Sequence, residues 1–178
     1  MNIYILDTDV NKYRGIYYVN EDIVHFNRRF DGKSMKRKWT GREKFAFVPR
    51  RLRKGDTPYL SSHIPVFSSK AVTVLEDFLK SNGELLPISC DGEKYFLYNV
   101  TRVVDALDKP KCELQLFDDG KIMDIVRYSF LKEKMTEVVI FKLPQDPLGW
   151  VYATDPVVER VQAAGLKGFK FRLVWSSD

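Results

Sequence analysis

Asp91 and Gly92 separate two segments of mainly apolar residues, Glu84–Ser89 and Tyr95–Val100. An Asp-Gly pair between two such segments is a strong signal for a tight two-residue turn, because both residues tolerate positive φ angles. The two segments are therefore predicted to pair as an antiparallel hairpin. This pairing favours a sheet built from sequence neighbours over a parallel sheet, in which helices connect successive strands.

Other segments extend the same pattern. A second hairpin is predicted around Asp118-Asp119-Gly120, between Cys112–Phe117 and Ile122–Phe130. The β-branched residues of Val138–Leu143 predict a central strand. Strands are also predicted at Asn2–Leu6, Gly15–Asn20 and Phe45–Val48.

The segment Phe169–Trp175 alternates with a period of two. Lys170 and Arg172 separate the apolar residues, which are Phe169, Phe171, Leu173 and Trp175. Because successive side chains of a strand point to opposite faces, these four apolar side chains are predicted to share one buried face.

Two helices are predicted. The first begins at a Ser68 or Ser69 cap and ends at Asn82-Gly83, with one apolar stripe formed by Val72, Leu75, Phe78 and Leu79. The second runs from Pro156 to Ala164, with Asp155 as its cap. The predicted fold is α+β: a mostly antiparallel sheet built from hairpins with at least two helices packed on one face, in one domain over residues 1–178.

Composition excludes several classes of protein. At 178 residues, 44% of them hydrophobic, the chain is long enough for one substantial core and differs from disordered sequences. Its apolar runs are shorter than the ~18–20 residues needed to cross a bilayer, and MNIYILDTDVN lacks the basic flank of a signal peptide. Two cysteines in a chain of this length favour reduced thiols over a disulfide. We therefore expect a cytoplasmic protein with no membrane partner.

The net charge of +5 is unevenly distributed. Between Arg28 and Lys54 there are twelve basic and two acidic residues, so this basic excursion carries +10 and the rest of the chain −5. Such a segment creates a local positive potential that speeds the encounter with an anionic partner. A solvated loop whose charges only maintain solubility is an equally compatible interpretation.

The residues that most often perform catalysis are few and scattered. The only histidines are His25 and His63, and His63 lies in a turn-like SSHIPVF segment, where ordering the loop is the favoured role. Cys90 is followed by an acid, which raises the pKa of a thiol and makes it less reactive. The neighbouring carboxylates at positions 7 and 9 and at 118 and 119 fit turns better than a metal site. We therefore expect no enzyme activity, no cofactor and no metal.

Four segments in the second and last thirds of the chain occur in a recognisable order. They are HIPVFSSKAV (63–72), NGELLPISCDGEKYFLYNVTRVVDALD (82–108), VVIFKLP (138–144) and YATDPVVERVQAAGLKGFKFRLVW (152–175). Their order resembles immunity protein family eleven of bacterial polymorphic toxin systems; residues 63–178 match well, and residues 1–62 are more divergent. The resemblance implies a protein encoded beside a secreted toxin, which binds and sterically neutralises that toxin.

The resemblance supplies no functional residues, so the partner-binding residues are predicted from charge and residue type. A basic surface implies a toxin domain with an acidic binding surface. Trp39 is a candidate anchor, because binding hot spots favour Trp and Arg. Tyr59 and Trp150 are secondary candidates, Trp150 because it follows a Pro-Leu-Gly loop. The predicted partner-binding residues are Lys36, Arg37, Lys38, Trp39, Arg50, Arg51, Arg53, Tyr59 and Trp150.

A nucleic-acid-binding module is the alternative function. The basic residues of segment 28–54 are interleaved with aromatic residues that can stack on bases while the cations bind phosphates. These aromatic residues are Phe30, Trp39, Phe45 and Phe47. No sequence signature of a nucleic-acid-binding fold accompanies them, so a protein partner is favoured.

Overall fold

The computed structural model describes residues 1–19 and 22–177. Within these residues the strands are β1 (Asn2–Thr8), β2 (Gly15–Tyr18), β3 (Lys44–Val48), β4 (Val66–Ser68), β5 (Gly83–Cys90), β6 (Glu93–Val100), β7 (Glu113–Leu116), β8 (Ile122–Arg127), β9 (Ile140–Phe141), β10 (Tyr152–Thr154) and β11 (Phe169–Ser176). The α-helices are α1 (Ile23–Arg28), α2 (Ser69–Val74), α3 (Glu76–Asn82) and α4 (Asp155–Ala163). Asn20, the expected end of the second strand, lies outside the described residues.

The strands form three sheets in the described part of the chain. The first has the order β11-β1-β10-β9, the second β2-β3-β5-β6-β4, and β7 and β8 form a separate pair. Strands β3 and β5 run parallel, and the other strand pairs are antiparallel. The fold is therefore α+β with mostly antiparallel sheets, as predicted.

Both predicted hairpins are present. Strands β5 and β6 pair over their whole length around Asp91 and Gly92, whose φ angles are 47° and 83°. Strands β7 and β8 form the second hairpin. The prediction of a central strand at Val138–Leu143 was wrong: β9 is two residues long and lies at the edge of its sheet. The segment has the composition of a central strand because Ile140 and Phe141 are both fully buried, each against a different hydrophobic cluster.

The helices differ from the prediction in detail. Ser68 caps α2 as expected, accepting a hydrogen bond from the Ala71 N–H at 3.1 Å, but the predicted long helix is interrupted at Leu75. Thr154, and not Asp155, is the N-cap of α4. The Asp155 carboxylate instead accepts hydrogen bonds from Asn2 and Tyr4 of β1. Packing of the helices on one face is not confirmed, since α2 contacts β4 and β6, α3 contacts β5 and β9, and α4 contacts β10.

The alternating pattern of β11 does not produce one buried face. Its pairing with β1 shifts between Ile3 and Tyr4, which pair with Trp175 and Leu173 and leave Val174 as an extra residue. This β-bulge changes the orientation of the following side chain. Phe169 and Phe171 therefore pack on one hydrophobic cluster and Trp175 on another, while Leu173 is 55% exposed.

Three hydrophobic clusters organise the molecule. One lies among the helices α2–α4 and the two large sheets, and another lies between the first sheet and the β7–β8 hairpin. The third packs Phe26, Phe30 and Met35 against the inner residues of β3, β5 and β6. This third cluster lies under the basic excursion and determines how its side chains are presented.

Candidate partner-binding site

The basic excursion contains a packed segment and not only a solvated loop. Helix α1 precedes it, with Asp22 capping the His25 N–H. Phe30 is fully buried and Met35 is 4% exposed, whereas most of the basic residues between and around them are exposed. Burial of the apolar residues anchors the segment, because each large side chain removed from water contributes about 1.5–3 kcal/mol.

Three buried side chains bind backbone carbonyls of this segment, at positions 27, 30 and 33. His63 Nε2 donates to the Asn27 carbonyl at 3.0 Å, and Lys142 Nζ donates to the Phe30 carbonyl at 2.6 Å. Asn99 Nδ2 donates to the Lys33 carbonyl at 2.8 Å. The Asn27 carbonyl also accepts the Phe30 N–H at 3.2 Å, and the three side chains together fix the path of the chain after α1.

Glu84, a residue of β5, binds the next part of the basic excursion at Ser34 and Met35. Its carboxylate accepts hydrogen bonds from the Met35 N–H at 2.8 Å, from the Ser34 hydroxyl and from Asn99 Nδ2. Partial burial opposes ionisation of Glu84, but these donors dominate and lower its pKa. The four docking residues, His63, Glu84, Asn99 and Lys142, all lie in the segments on which the family resemblance rests.

The docking residues have defined charge states. Burial lowers the pKa of His63 to about 4, so the ring is neutral at pH 7. The neutral ring carries its proton on Nε2, which donates a hydrogen bond to the Asn27 carbonyl, and Nδ1 lies 2.8 Å from the Ser61 hydroxyl. Burial lowers the pKa of Lys142 to about 8, while Asp31 and Asp146 favour its charged form. Lys142 therefore remains mainly charged at neutral pH, and its positive charge suits the carbonyls that follow α1.

The structure divides the excursion into two groups of cations. The docked group comprises Arg28, Arg29, Lys33, Lys36, Arg37 and Lys38, and the turn group comprises Arg50, Arg51, Arg53 and Lys54. Arg42 and Lys44 lie between the groups, before and at the start of β3. Ser34 and Met35 bind Glu84 at the start of β5, whereas β3 pairs with the end of β5 and leads away to the turn group. At ~3.3 Å per strand residue, the two contact points on β5, Glu84 and Cys90, are about 20 Å apart.

The turn group is supported by residues 12–14: the Arg14 N–H donates to the Arg53 carbonyl at 2.8 Å, and the Arg53 N–H donates to the Lys12 carbonyl at 3.2 Å. The Arg14 guanidinium donates to the Leu52 carbonyl at 2.6 Å and to the Arg50 carbonyl. Lys54 pairs with Glu93 and lies 5.3 Å from the centre of the Phe47 ring. Arg50, Arg51 and Arg53 are exposed. Their backbone is thus held from one side, mainly by hydrogen bonds at the surface.

Trp39 has a structural role in the docked group. Its ring packs against the third hydrophobic cluster, and its indole N–H donates to the Pro87 carbonyl at 3.0 Å. The Arg29 guanidinium lies 5.7 Å from the ring centre and 3.8 Å from a carboxylate oxygen of Glu43. Trp39 is therefore half-buried and positions Arg29; its role as a binding anchor stays a prediction.

Trp150 lies apart from both groups, whereas Tyr59 lies beside the turn group, because Arg53 and Tyr59 pair with Tyr13 and Gly15 of one segment. Tyr59 is 38% exposed beside β2, and its carbonyl accepts the Ile16 N–H at 2.7 Å. Trp150 is half-buried against the cluster beneath the β7–β8 hairpin, and the Arg172 guanidinium lies 5.3 Å from its ring centre. The nine residues predicted from the sequence thus occupy three separate places: the docked group with Trp39, the turn group with Tyr59 beside it, and Trp150.

The surroundings of Cys90 do not activate its thiol for catalysis. Burial, with Asp91 and Glu93 nearby, raises the pKa of the Cys90 thiol to about 12, which disfavours the nucleophilic thiolate. Among the described residues, no group of three or more His, Cys, Asp or Glu side chains is arranged to hold a metal ion. Within residues 1–19 and 22–177, no helix is long and apolar enough to cross a membrane.

Sequence reasoning singled out His63 as a loop-ordering residue but missed Glu84, Asn99 and Lys142, although two of these three leave a signal. Asn99 and Lys142 are polar residues inside otherwise apolar strand segments, YFLYNV and VVIFKL. A buried polar residue needs a hydrogen-bond partner, so each of them predicts a contact without identifying it. The partners, Lys33 and Phe30, are 66 and 112 positions away in the sequence.

Comparison with known protein families assigns the chain to one of them. No curated protein sequence matches it. The model of the immunity protein family Imm11 matches residues 9–175 of the 178 residues. This match includes most of the first third of the chain, which the resemblance covered only loosely, and therefore includes the basic excursion together with its docking residues. The chain belongs to the Imm11 immunity protein family.

Proposed function

We propose that this protein binds a cognate secreted toxin and neutralises it by steric occlusion in the cytoplasm of the producing cell. Family membership supports a toxin partner. The observation that carries the proposal is the docked basic segment: four side chains from three distant parts of the chain hold it in one conformation. Holding a recognition segment in advance reduces the entropy lost on binding. The two cysteines of the protein, Cys90 and Cys112, are unpaired thiols, which agrees with the reducing environment of the cytoplasm.

The partner surface is acidic in this proposal. The exposed cations of both groups complement negative charge, speed the encounter and exclude partners of the wrong charge. Occlusion requires no chemistry from this chain, and the high thiol pKa of Cys90 agrees with a binding role. The nine residues predicted from the sequence remain the candidate contacts, with the two cation groups as the main ones.

The nucleic-acid alternative loses support from the positions of the aromatic residues. Base stacking requires exposed rings. Phe30, Phe45 and Phe47 are 0%, 3% and 3% exposed, and Trp39 packs against the core. Cations without stacking rings still attract phosphates, so the function test includes nucleic acid.

The test uses the C-terminal domain encoded by the neighbouring toxin gene. We expect co-purification with this protein and growth protection when both are expressed together. Replacing Lys36, Arg37 and Lys38 with Glu should slow association about tenfold at low salt and less at high salt, because salt screens the steering charges.

A matched control reverses three exposed cations elsewhere, Lys70, Arg127 and Lys170, and should bind like the wild type. Circular dichroism and thermal unfolding verify that both variants fold. Absence of toxin binding by the wild type, together with salt-dependent retardation of random DNA or RNA, would decide for the nucleic-acid alternative.

A further inference from the structure

A cleft of about 250 Å³ opens between the end of α1 and the loop that follows it. Four cations of the docked group line this cleft together with one acid, Asp31; the cations are Arg28, Arg29, Lys33 and Lys38. A concave site with several cations and a single carboxylate has an excess of positive charge. Its volume is that of a site for one side chain or a small anion.

The cations of the cleft differ in their partners. Lys33 binds Asp31 at 2.7 Å and so offsets the acid. Arg29 lies against the rings of Phe26 and Trp39 and pairs with Glu43 at 3.8 Å, and its side chain remains 31% exposed. Among residues 1–19 and 22–177, neither Arg28 nor Lys38 forms an ion pair. Arg28 and Lys38 are thus available to an incoming anion, with Arg29 held in place behind them.

The backbone of the cleft is fixed before any partner arrives. The carbonyls of Asn27, Phe30 and Lys33 bind buried side chains, and the Met35 N–H binds Glu84. Arginine side chains from a fixed backbone bind a carboxylate through two parallel hydrogen bonds, which provide both energy and direction. The same chemistry in a mobile loop loses more entropy on binding.

We propose, on the basis of the toxin-binding function above, that this cleft receives a carboxylate side chain of the toxin, bound by Arg28 and Arg29 with Lys38 at the rim. A protein carboxylate fits better than a nucleic acid, because the aromatic residues nearby are packed into the core and are not free to stack on bases. In this proposal both groups steer the toxin, and the docked group in addition determines how slowly the complex dissociates.

The experiment measures binding kinetics of the neighbouring toxin domain with two charge-reversed variants. Arg28→Glu with Lys38→Glu should raise Kd roughly 30-fold or more, mainly through faster dissociation, since breaking a close charge pair has this effect. The matched control, Arg51→Glu with Arg53→Glu, changes the net charge equally and should raise Kd less than about threefold at physiological salt. A toxin Asp or Glu changed to Lys should restore binding to the cleft variant only.

Each outcome has a definite meaning. Normal dissociation of the cleft variant, or an equal effect of the Arg51 and Arg53 reversal, would overturn the cleft proposal while leaving toxin binding intact. Failure of the wild type to bind the toxin would overturn both the proposed function and the cleft. If the cleft variant unfolds, Arg28→Gln with Lys38→Gln replaces it and should raise Kd roughly tenfold; an unchanged Kd would again overturn the proposal.

Discussion

The docked group and the turn group have similar composition but different support. The docked group lies on a buried aromatic cluster and is tied to residues as far as 112 positions away. The turn group follows an exposed strand end and depends on backbone hydrogen bonds with Lys12 and Arg14, on the Arg14 side chain and on the Lys54–Glu93 pair. Charge alone therefore does not define a binding surface. The same residue types acquire a fixed geometry only where buried contacts hold their backbone.

The largest difference between the groups is expected from removing their apolar supports. Phe30→Ala deletes a fully buried ring beneath the docked group and should reduce the free energy of unfolding by about 3–5 kcal/mol. Leu52→Ala, at a half-exposed position in the turn group, should reduce it by less than about 2 kcal/mol. Urea unfolding measures both. Similar losses from the two variants would contradict the contrast between the groups.

An intermediate loss of stability is expected at acidic pH, because His63 supports the docked group and not the turn group. The pKa of His63 falls from 6.5 in the unfolded chain to about 4 in the fold. Between these values the unfolded chain binds a proton that the folded chain does not, so stability decreases as the pH falls from 6.5 to 4. The full loss is up to about 3 kcal/mol.

The check is the variant His63→Gln, which retains a donor for the Asn27 carbonyl but does not titrate. The free energy of unfolding is measured for both proteins at pH 7 and at pH 4.5. The difference between the two pH values should be smaller for the variant by about 2 kcal/mol. Parallel pH dependences would show that His63 is not the responsible group. Lys142, the other titratable docking donor, keeps its charge across this range.

The smallest effect is expected from Arg14→Met, which keeps the apolar stem and removes the hydrogen bonds to Leu52 and Arg50. The loss should be about 1 kcal/mol and local to the turn group, because these bonds lie partly in solvent. Limited trypsin digestion followed by mass spectrometry should show roughly fivefold faster cleavage after Arg50, Arg51 and Arg53. Cleavage after Arg28 and Arg29 serves as the internal control and should not change.

Local signals in the sequence predicted most of the secondary structure. Asp91 and Gly92 identified the hairpin because two adjacent positive φ angles suit few residue pairs. Ser68 identified a helix start for a similarly local reason. The alternation in β11 failed because a bulge at Val174 depends on pairing with β1, which no local pattern in β11 reveals.

The site was less predictable than the fold. The basic residues were recognisable by composition, but their division into two groups depends on which end of β5 each group meets. Trp39 was a candidate anchor by residue type, whereas its exposure is decided by contacts with Phe26 and Pro87. Such contacts join residues 48 positions apart in the case of Pro87, and no short-range pattern specifies them.

The position of β1 in the first sheet has a consequence for synthesis of the protein. Strand β1 leaves the ribosome early, yet its partners are β10 and β11, and its residue Asn2 binds Asp155, 153 positions later. Pairing between distant segments slows folding, because a long loop must close before any contact forms. The nascent chain therefore holds β1 unpaired until nearly all of the described residues have emerged. Under the proposed toxin-binding function, protection by newly made protein should lag behind translation by the time this last pairing takes.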